Sequence, residues 1–254
     1  MGSCCDSKPK KICPFSIFLF VASMAFVTHQ LSQNKKGKKS SSSKDVQLPS
    51  CEVIFVVGAP GTGKGTQCAI LVEKTKGAWT HLSAGDLLRE ERQRVTAAQT
   101  ATDDDDDLEL AHTIQNCINA GKLVPSSITV RLLEKGMKQA YQKSGSTKFL
   151  IDGFPRGQDN IDAWDNQMGA HKVTSCLNYE CPEQLLVDRL LERGKSSGRS
   201  DDNMETIRKR FQTHVEACKP VLARYSKDGI LHTINSDQSV DEVYKQTEKI
   251  VLGK

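Results

Sequence analysis

Lys64 stands at the end of GAPGTGK, with glycines at 58, 61 and 63 before it and another at 65. That spacing suits a loop whose backbone amides close around an anion while the lysine neutralises terminal phosphates, since glycine lets the main chain come close enough. In the general pattern Ser or Thr follows the lysine directly, whereas here Gly65 intervenes before Thr66. A tight turn with a surface lysine is the competing reading, and the flanking chain weighs against it. Residues 53–57, VIFVV, are apolar, mostly β-branched and too few for a helix, so they read as a strand buried on both faces of a parallel sheet. Residues 66–74 carry helix formers, with apolar Cys68, Ala69, Leu71 and Val72 among them. Strand, glycine loop and helix thus come in the order that phosphate binding requires.

Other charged residues fall where they could serve such a loop. Asp152 closes the apolar run FLID, and a carboxylate at the carboxyl end of a parallel strand can hold magnesium through water beside the phosphates. DGFPR at 152–156 also has turn chemistry, so Asp152 can be a turn former as well. Residues 193–202, RGKSSGRSDD, combine glycine and serine with arginines that attract phosphate, which makes them a candidate lid or else a plain solvated loop. Arg89 follows Ser83 and Asp86, either of which could cap the helix it belongs to; alone it would be a solvated face.

The elements that must position these groups alternate. Strands are expected at 53–57, 79–82, 149–152, 173–179 and 230–234, and helices at 66–74, from Ser83 or Asp86 onward, and at 108–120, 126–141, 182–193, 204–217 and 240–251. The order argues for a parallel sheet covered on both faces. Residues 95–107, ending in five aspartates, have no useful periodicity and are expected to form an exposed loop insertion; a calcium site would need spaced ligands and a glycine turn.

At 254 residues the chain is long enough for one domain with a full core plus appendages. The net charge of +4 owes much to lysines in the first forty-five residues, so the main body gives little support for a nucleic-acid partner. Nine cysteines without a CxxC pair read as reduced thiols in a non-oxidising compartment. Residues 1–49 form an N-terminal leader and linker outside the fold. Residues 12–27 suit the core of a signal peptide and are short for a membrane-spanning helix. The Lys- and Ser-rich stretch after them has transit-peptide composition, so a bipartite organelle leader and an uncleaved membrane anchor both stand. MGSCC also invites lipidation, although Asp6 stands where that motif wants Ser or Thr.

Five motifs in order, GAPGTGKGTQC at 58–68, HLSAGDLLR at 81–89, GKLVP at 121–125, FLIDGFPRGQDN at 149–160 and LLERGKSSGRSDDN at 190–203, closely resemble the short-lid nucleoside monophosphate kinases of the adenylate kinase family, and within them the eukaryotic UMP-CMP kinases. The resemblance covers residue 52 to the carboxyl terminus and accounts for GKGT at 63–66. It implies an α/β P-loop nucleoside triphosphate hydrolase-type fold, a five-stranded parallel sheet flanked by helices. It also implies an NMP-binding arm at about 83–135, carrying the acidic insertion 95–107, and a lid at about 194–203.

The resemblance further implies site roles. Gly61, Thr62, Gly63, Lys64, Gly65 and Thr66 would wrap the ATP phosphates, Arg193 would lie along the adenine, and Gln238 would meet that base through its backbone. Arg89 and Arg156 would clamp the acceptor's phosphate, and Arg199 and Arg210 would close from the lid, making Lys64, Arg156, Arg199 and Arg210 the catalytic set. Lys122, Leu123, Val124, Gly153, Phe154, Pro155 and Asn160 would complete the acceptor site. Asp152 would sit near Mg2+, and the lid is too short for the zinc site of some longer relatives. Arginine forks fit phosphate, and phosphoryl transfer needs positioning and charge neutralisation more than covalent chemistry.

Adenylate kinases share most of this pattern but generally carry Thr where Ala84 stands, and Gln at the position of Asn160. A side chain shorter by one methylene suits a pyrimidine, so CMP and UMP are the expected acceptors, with AMP as the alternative. A nucleotide-binding scaffold that has lost transfer is a third possibility, against which the intact cationic set speaks. Gly157 stands where relatives often have Asn. A monomer acting on ATP and CMP or UMP is expected, with membrane contact through the N-terminal segment alone if it is uncleaved. The compartment follows either the family, cytoplasm and nucleus, or the leader, a plastid or other organelle.

Overall fold

Alternation inside VIFVV divides the core. Val53, Phe55 and Val57 join one apolar cluster, while Ile54 and Val56 join another on the opposite face. A computed structural model of the chain describes residues 46–98, 105–197, 199 and 201–253, within the unit Val46–Lys254. The leader readings on 1–45, the middle of the expected insertion at 99–104 and lid positions 198 and 200 lie outside the described residues.

Strand β1 (Glu52–Gly58) is central in a five-stranded sheet of order β2-β3-β1-β4-β5, with β2 at Thr80–Ser83, β3 at Lys148–Asp152, β4 at Lys172–Glu180 and β5 at Leu231–Asn235. Every pairing is parallel. The helices are α1 (Lys64–Lys74), α2 (Ala84–Ala98), α3 (Asp105–Ala120), α4 (Ser126–Ser144), α5 (Gln158–Met168), α6 (Glu183–Ser197), α7 (Met204–Lys227) and α8 (Val240–Leu252). One face of the sheet is covered by Val130, Leu133 and Met137 of α4, Ile161 and Trp164 of α5, and Val221 and Tyr225 of α7. Phe55 meets Trp164 edge-on at 5.1 Å between ring centroids, a geometry that adds about 1 kcal/mol to the burial of both rings. Cys68 and Leu71 of α1 cover the other face together with Val243 and Tyr244 of α8. Two smaller clusters stand outside the sheet. Leu88, Ile114, Val124 and Leu132 tie α2 and α3 to α4, and Leu186, Leu190, Ile207 and Phe211 join α6 to α7.

Helix α5 is absent from the elements expected from the sequence, and three others differ from the expectation. Residues 95–107 are not one loop: Val95 is fully buried, seven residues past Leu88 on the same helical face, so α2 runs on to Ala98. Residues 105–107 already belong to α3. Second, α6 extends through Gly194 to Ser197, so the first part of the expected lid is helical. Third, α7 continues past 217 and through Pro220 for 24 residues. Asn203 caps it by accepting from the Thr206 amide at 3.0 Å. Burial of Cys218, Val221 and Tyr225 along one face outweighs the roughly 3 kcal/mol that an interior proline costs.

Candidate active site

The sheet order puts a topological switch point at the carboxyl ends of β1 and β3, where Val56 and Asp152 are register partners. Residues 58–63 turn there from β1 into α1. Gly58 has φ +137°, and a Cβ on it would lie 2.4 Å from the Tyr179 carbonyl oxygen, so no side chain fits where the loop leaves the sheet. Gly63, with φ +83°, starts α1 without a side-chain cap, and the first turn holds no acidic residue. The leading amides of α1 therefore face the cleft with the positive end of the helix dipole behind them, which is a seat for phosphate.

Lys64 donates to the carbonyls of Gly58 at 2.9 Å and Ala59 at 2.8 Å, and to Thr62 Oγ1 at 3.3 Å, so the loop enfolds its own ammonium. Burial lowers the Lys64 pKa to about 8; Asp152 opposes that shift, and the charges of Arg156 and Arg210 add to it. An anion arriving here relieves that crowding of positive charge. Asp152 Oδ1 is buried without a hydrogen-bond partner among the described residues, and Oδ2 lies 3.6 Å from His81 Nε2. A lone orphaned carboxylate beside the phosphate seat fits a hydrated divalent cation bound through water.

The arginines converge from α2, the turn after β3, α6, α7 and the segment between those last two helices. Asp86 on α2 accepts from Arg89 at 2.6 Å and from the lid's Arg199 at 3.1 Å. Burial pushes the Asp86 carboxyl up, yet the two arginines outweigh it and hold its pKa below the ordinary value. Arg210 of α7 bonds Asp201 Oδ2 at 2.8 Å and Asp202 Oδ1 at 2.9 Å, while Arg193 makes a bidentate pair with Asp202 at 2.7 Å for each contact. Arg156 points into the cleft, its Nε donating to the Gly153 carbonyl at 2.7 Å. The guanidinium forks of the cleft are thus held on its own carboxylates and carbonyls.

Lys64, Arg89, Asp152, Arg156, Arg193, Arg199 and Arg210, with Lys122, Leu123, Val124, Gly153, Pro155, Asn160 and Gln238, line one cleft of about 640 Å³. Phe154 is the exception: its side chain is buried among the core rings, 5.7 Å from Phe55, so it anchors the 153–156 turn and can meet a nucleotide by backbone alone. Ala84 is buried at the start of α2, where a methyl needs no hydrogen-bond partner. Asn160 is 4% exposed, with Oδ1 accepting from the Arg156 amide at 2.9 Å and Nδ2 donating to Ser126 Oγ at 2.6 Å. Gln238 has its side chain tied to Gln246 at 2.6 Å, which leaves its backbone to the cleft.

Sequence reasoning passed over Arg189 and His214. Arg189 shares the cleft with Gln238 and Val240 and holds the Ser236 carbonyl at 3.3 Å, whereas Arg193 is turned to the lid's Asp202. The four-residue spacing of Arg189 and Arg193 on one helical face was the available signal. His214, one turn past Arg210 on α7, is held neutral: burial, then Lys64 and Arg156, lower its pKa to about 4.

A phosphate seat at the switch point, with arginines gathered around the same cleft, suits a nucleotide phosphotransferase. The adenylate kinase family profile matches residues 56–230, and the chain belongs to that family. It is 45% identical over 202 residues to the UMP-CMP kinase of Danio rerio, covering 79% of this chain and 96% of that one. Identity is 46% over 200 residues to the UMP-CMP kinase of Rattus norvegicus and 44% over 200 residues to that of Homo sapiens, with 78% of this chain and 95% of the relative covered in each case.

Proposed function

We propose that this chain transfers the γ-phosphoryl group of ATP to CMP and UMP, giving CDP or UDP and ADP. Asn160 carries the choice of acceptor: its short amide lines the cleft together with Leu123 and Val124, and the relatives at about 45% identity bear the UMP-CMP name. The adenylate kinase alternative, with AMP as acceptor, lacks such an observation in its favour.

ATP lays its phosphates on Gly61–Thr66, with Lys64 exchanging the Gly58 and Ala59 carbonyls for phosphate oxygen. Arg189 and the Gln238 backbone face the adenine, and Arg193 stands between base and lid. The acceptor's phosphate displaces Asp86 from Arg89 and meets Arg156. One of its oxygens bonds to the γ-phosphorus as the bond from that phosphorus to the ADP oxygen breaks, with Arg199 and Arg210 neutralising charge on the group in flight. No general base is required, because the attacking phosphate is already anionic. Bound Mg2+, near Asp152, would neutralise the ATP phosphates and fix their geometry. Closure of the lid excludes water, so transfer outruns hydrolysis.

The same reading makes residues 50–254 a single kinase domain, active as a monomer on free nucleotides. The six cysteines among the described residues are all free, which suits a reducing compartment. Any membrane contact is confined to residues 1–49, and no helix among the described residues is long and apolar enough to cross a membrane. Purified protein given Mg·ATP and CMP should form CDP, and Lys64→Met should lower that rate about a thousandfold, the scale for losing a group aimed at developing charge. Absence of CDP and UDP from the wild type, or undiminished transfer by the variant, would overturn the assignment.

A further inference from the structure

Asn160 is held by a directional chain of hydrogen bonds that leaves it one polarity. The Arg156 amide can only donate, so the atom it meets at 2.9 Å is the carbonyl oxygen of Asn160. Nδ2 therefore faces Ser126 Oγ at 2.6 Å and donates to it. Ser126, having accepted there, sends its own hydrogen to Asp159 Oδ2 at 2.5 Å. Inverting the amide would set two donors against each other at Arg156 and pull the serine hydrogen off the carboxylate. Gly157 belongs to this arrangement: a Cβ there would come 2.9 Å from Asp159 Oδ1, so glycine clears the space Asp159 occupies while reaching Ser126.

We propose that Ser126 and Asp159, with Gly157 making room for them, are positioning residues that fix the Asn160 amide and so make the acceptor site discriminate between CMP and UMP. The inference rests on the acceptor reading above. Once Ser126 and Arg156 are satisfied, Asn160 keeps one N–H and one oxygen lone pair for the base. Uracil offers an N3–H donor beside an O4 acceptor, and cytosine offers an N3 acceptor beside an N4–H donor, so the two edges are opposite at both places. An amide locked in one polarity matches one edge without adjustment. A freely rotating amide serves both.

The test is the ratio of kcat/KM for CMP to that for UMP in the full-length chain. The wild type should depart from equality by about tenfold, the scale for leaving one polar edge unpaired. Ser126→Ala and Asp159→Ala should bring the ratio toward equality by about fivefold through the acceptor KM, leaving the KM for ATP as in the wild type. Gly157→Ala should move it the same way, and Ser126→Thr, which keeps the hydroxyl, should hold the wild-type ratio. A wild-type ratio within about twofold of equality, or a ratio unmoved in Ser126→Ala and Asp159→Ala, overturns the proposal while CDP and UDP formation still stands. Failure to phosphorylate either pyrimidine overturns both.

Discussion

Lys64 is asked to be a cation where cations are disfavoured. Its pKa of about 8 means that the ammonium is largely charged at pH 7 and largely neutral at pH 9 in the empty enzyme. ATP binding needs the charged form, so affinity should fall as pH rises through 8, by about tenfold near pH 9, and bound phosphate should shift the midpoint upward. Calorimetric titration of ATP across that range checks this, and Lys64→Met should lack the step; a flat wild-type profile would contradict the crowding argument. The glycine loop and Lys64 were legible in the sequence because glycine spacing and lysine placement follow directly from phosphate geometry. The partnerships were not. That Asp86 bridges Arg89 and Arg199, or that Phe154 turns its ring into the core, depends on contacts between residues far apart in the chain.

The pair of helices α2 and α3 is an element with a core of its own. Leu88, Ile114, Val124 and Leu132 pack α2 and α3 onto α4, and Arg92 of α2 donates to Gln115 of α3 at 2.6 Å. Ile114→Ala should therefore cost about 3 kcal/mol of local stability and raise the KM for the acceptor more than that for ATP, because Lys64 and its loop stand on the sheet instead. Chemical denaturation together with the two KM values measures both effects, and equal changes in the two KM values would show that the arm is not separable. Strand positions were readable from their buried apolar runs. Helix α5 was not foreseen: Ile161, Trp164 and Met168 are its buried apolar positions, set among polar residues directly after a proline turn. The continuation of α7 beyond Pro220 was equally hidden, since local propensity argues for a stop and burial of Val221 and Tyr225 prevails.

The whole molecule is built round a cationic cleft whose arginines pair with its own acids. Asp86, Asp201 and Asp202 hold Arg89, Arg199, Arg193 and Arg210, so two bound nucleotides should free those forks for phosphate and join arm, sheet and lid. ADP and CDP together, each at about a hundred times its Kd, should raise unfolding stability by roughly 5 kcal/mol, about 2.7 from each site. Calorimetric melting with either product alone and with both reads this directly; stabilisation by one alone would show that the second site is missing. The alternation of strands and helices made the sheet legible, and the cleft followed from where β1 and β3 end. What the sequence could not convey was how firmly the acceptor amide is held. The most direct test of the account is a side-by-side measurement of kcat/KM for CMP, UMP and AMP with saturating Mg·ATP. At least one pyrimidine should exceed AMP by about a hundredfold, because the short Asn160 amide suits the smaller ring. Faster phosphorylation of AMP than of either pyrimidine would contradict it.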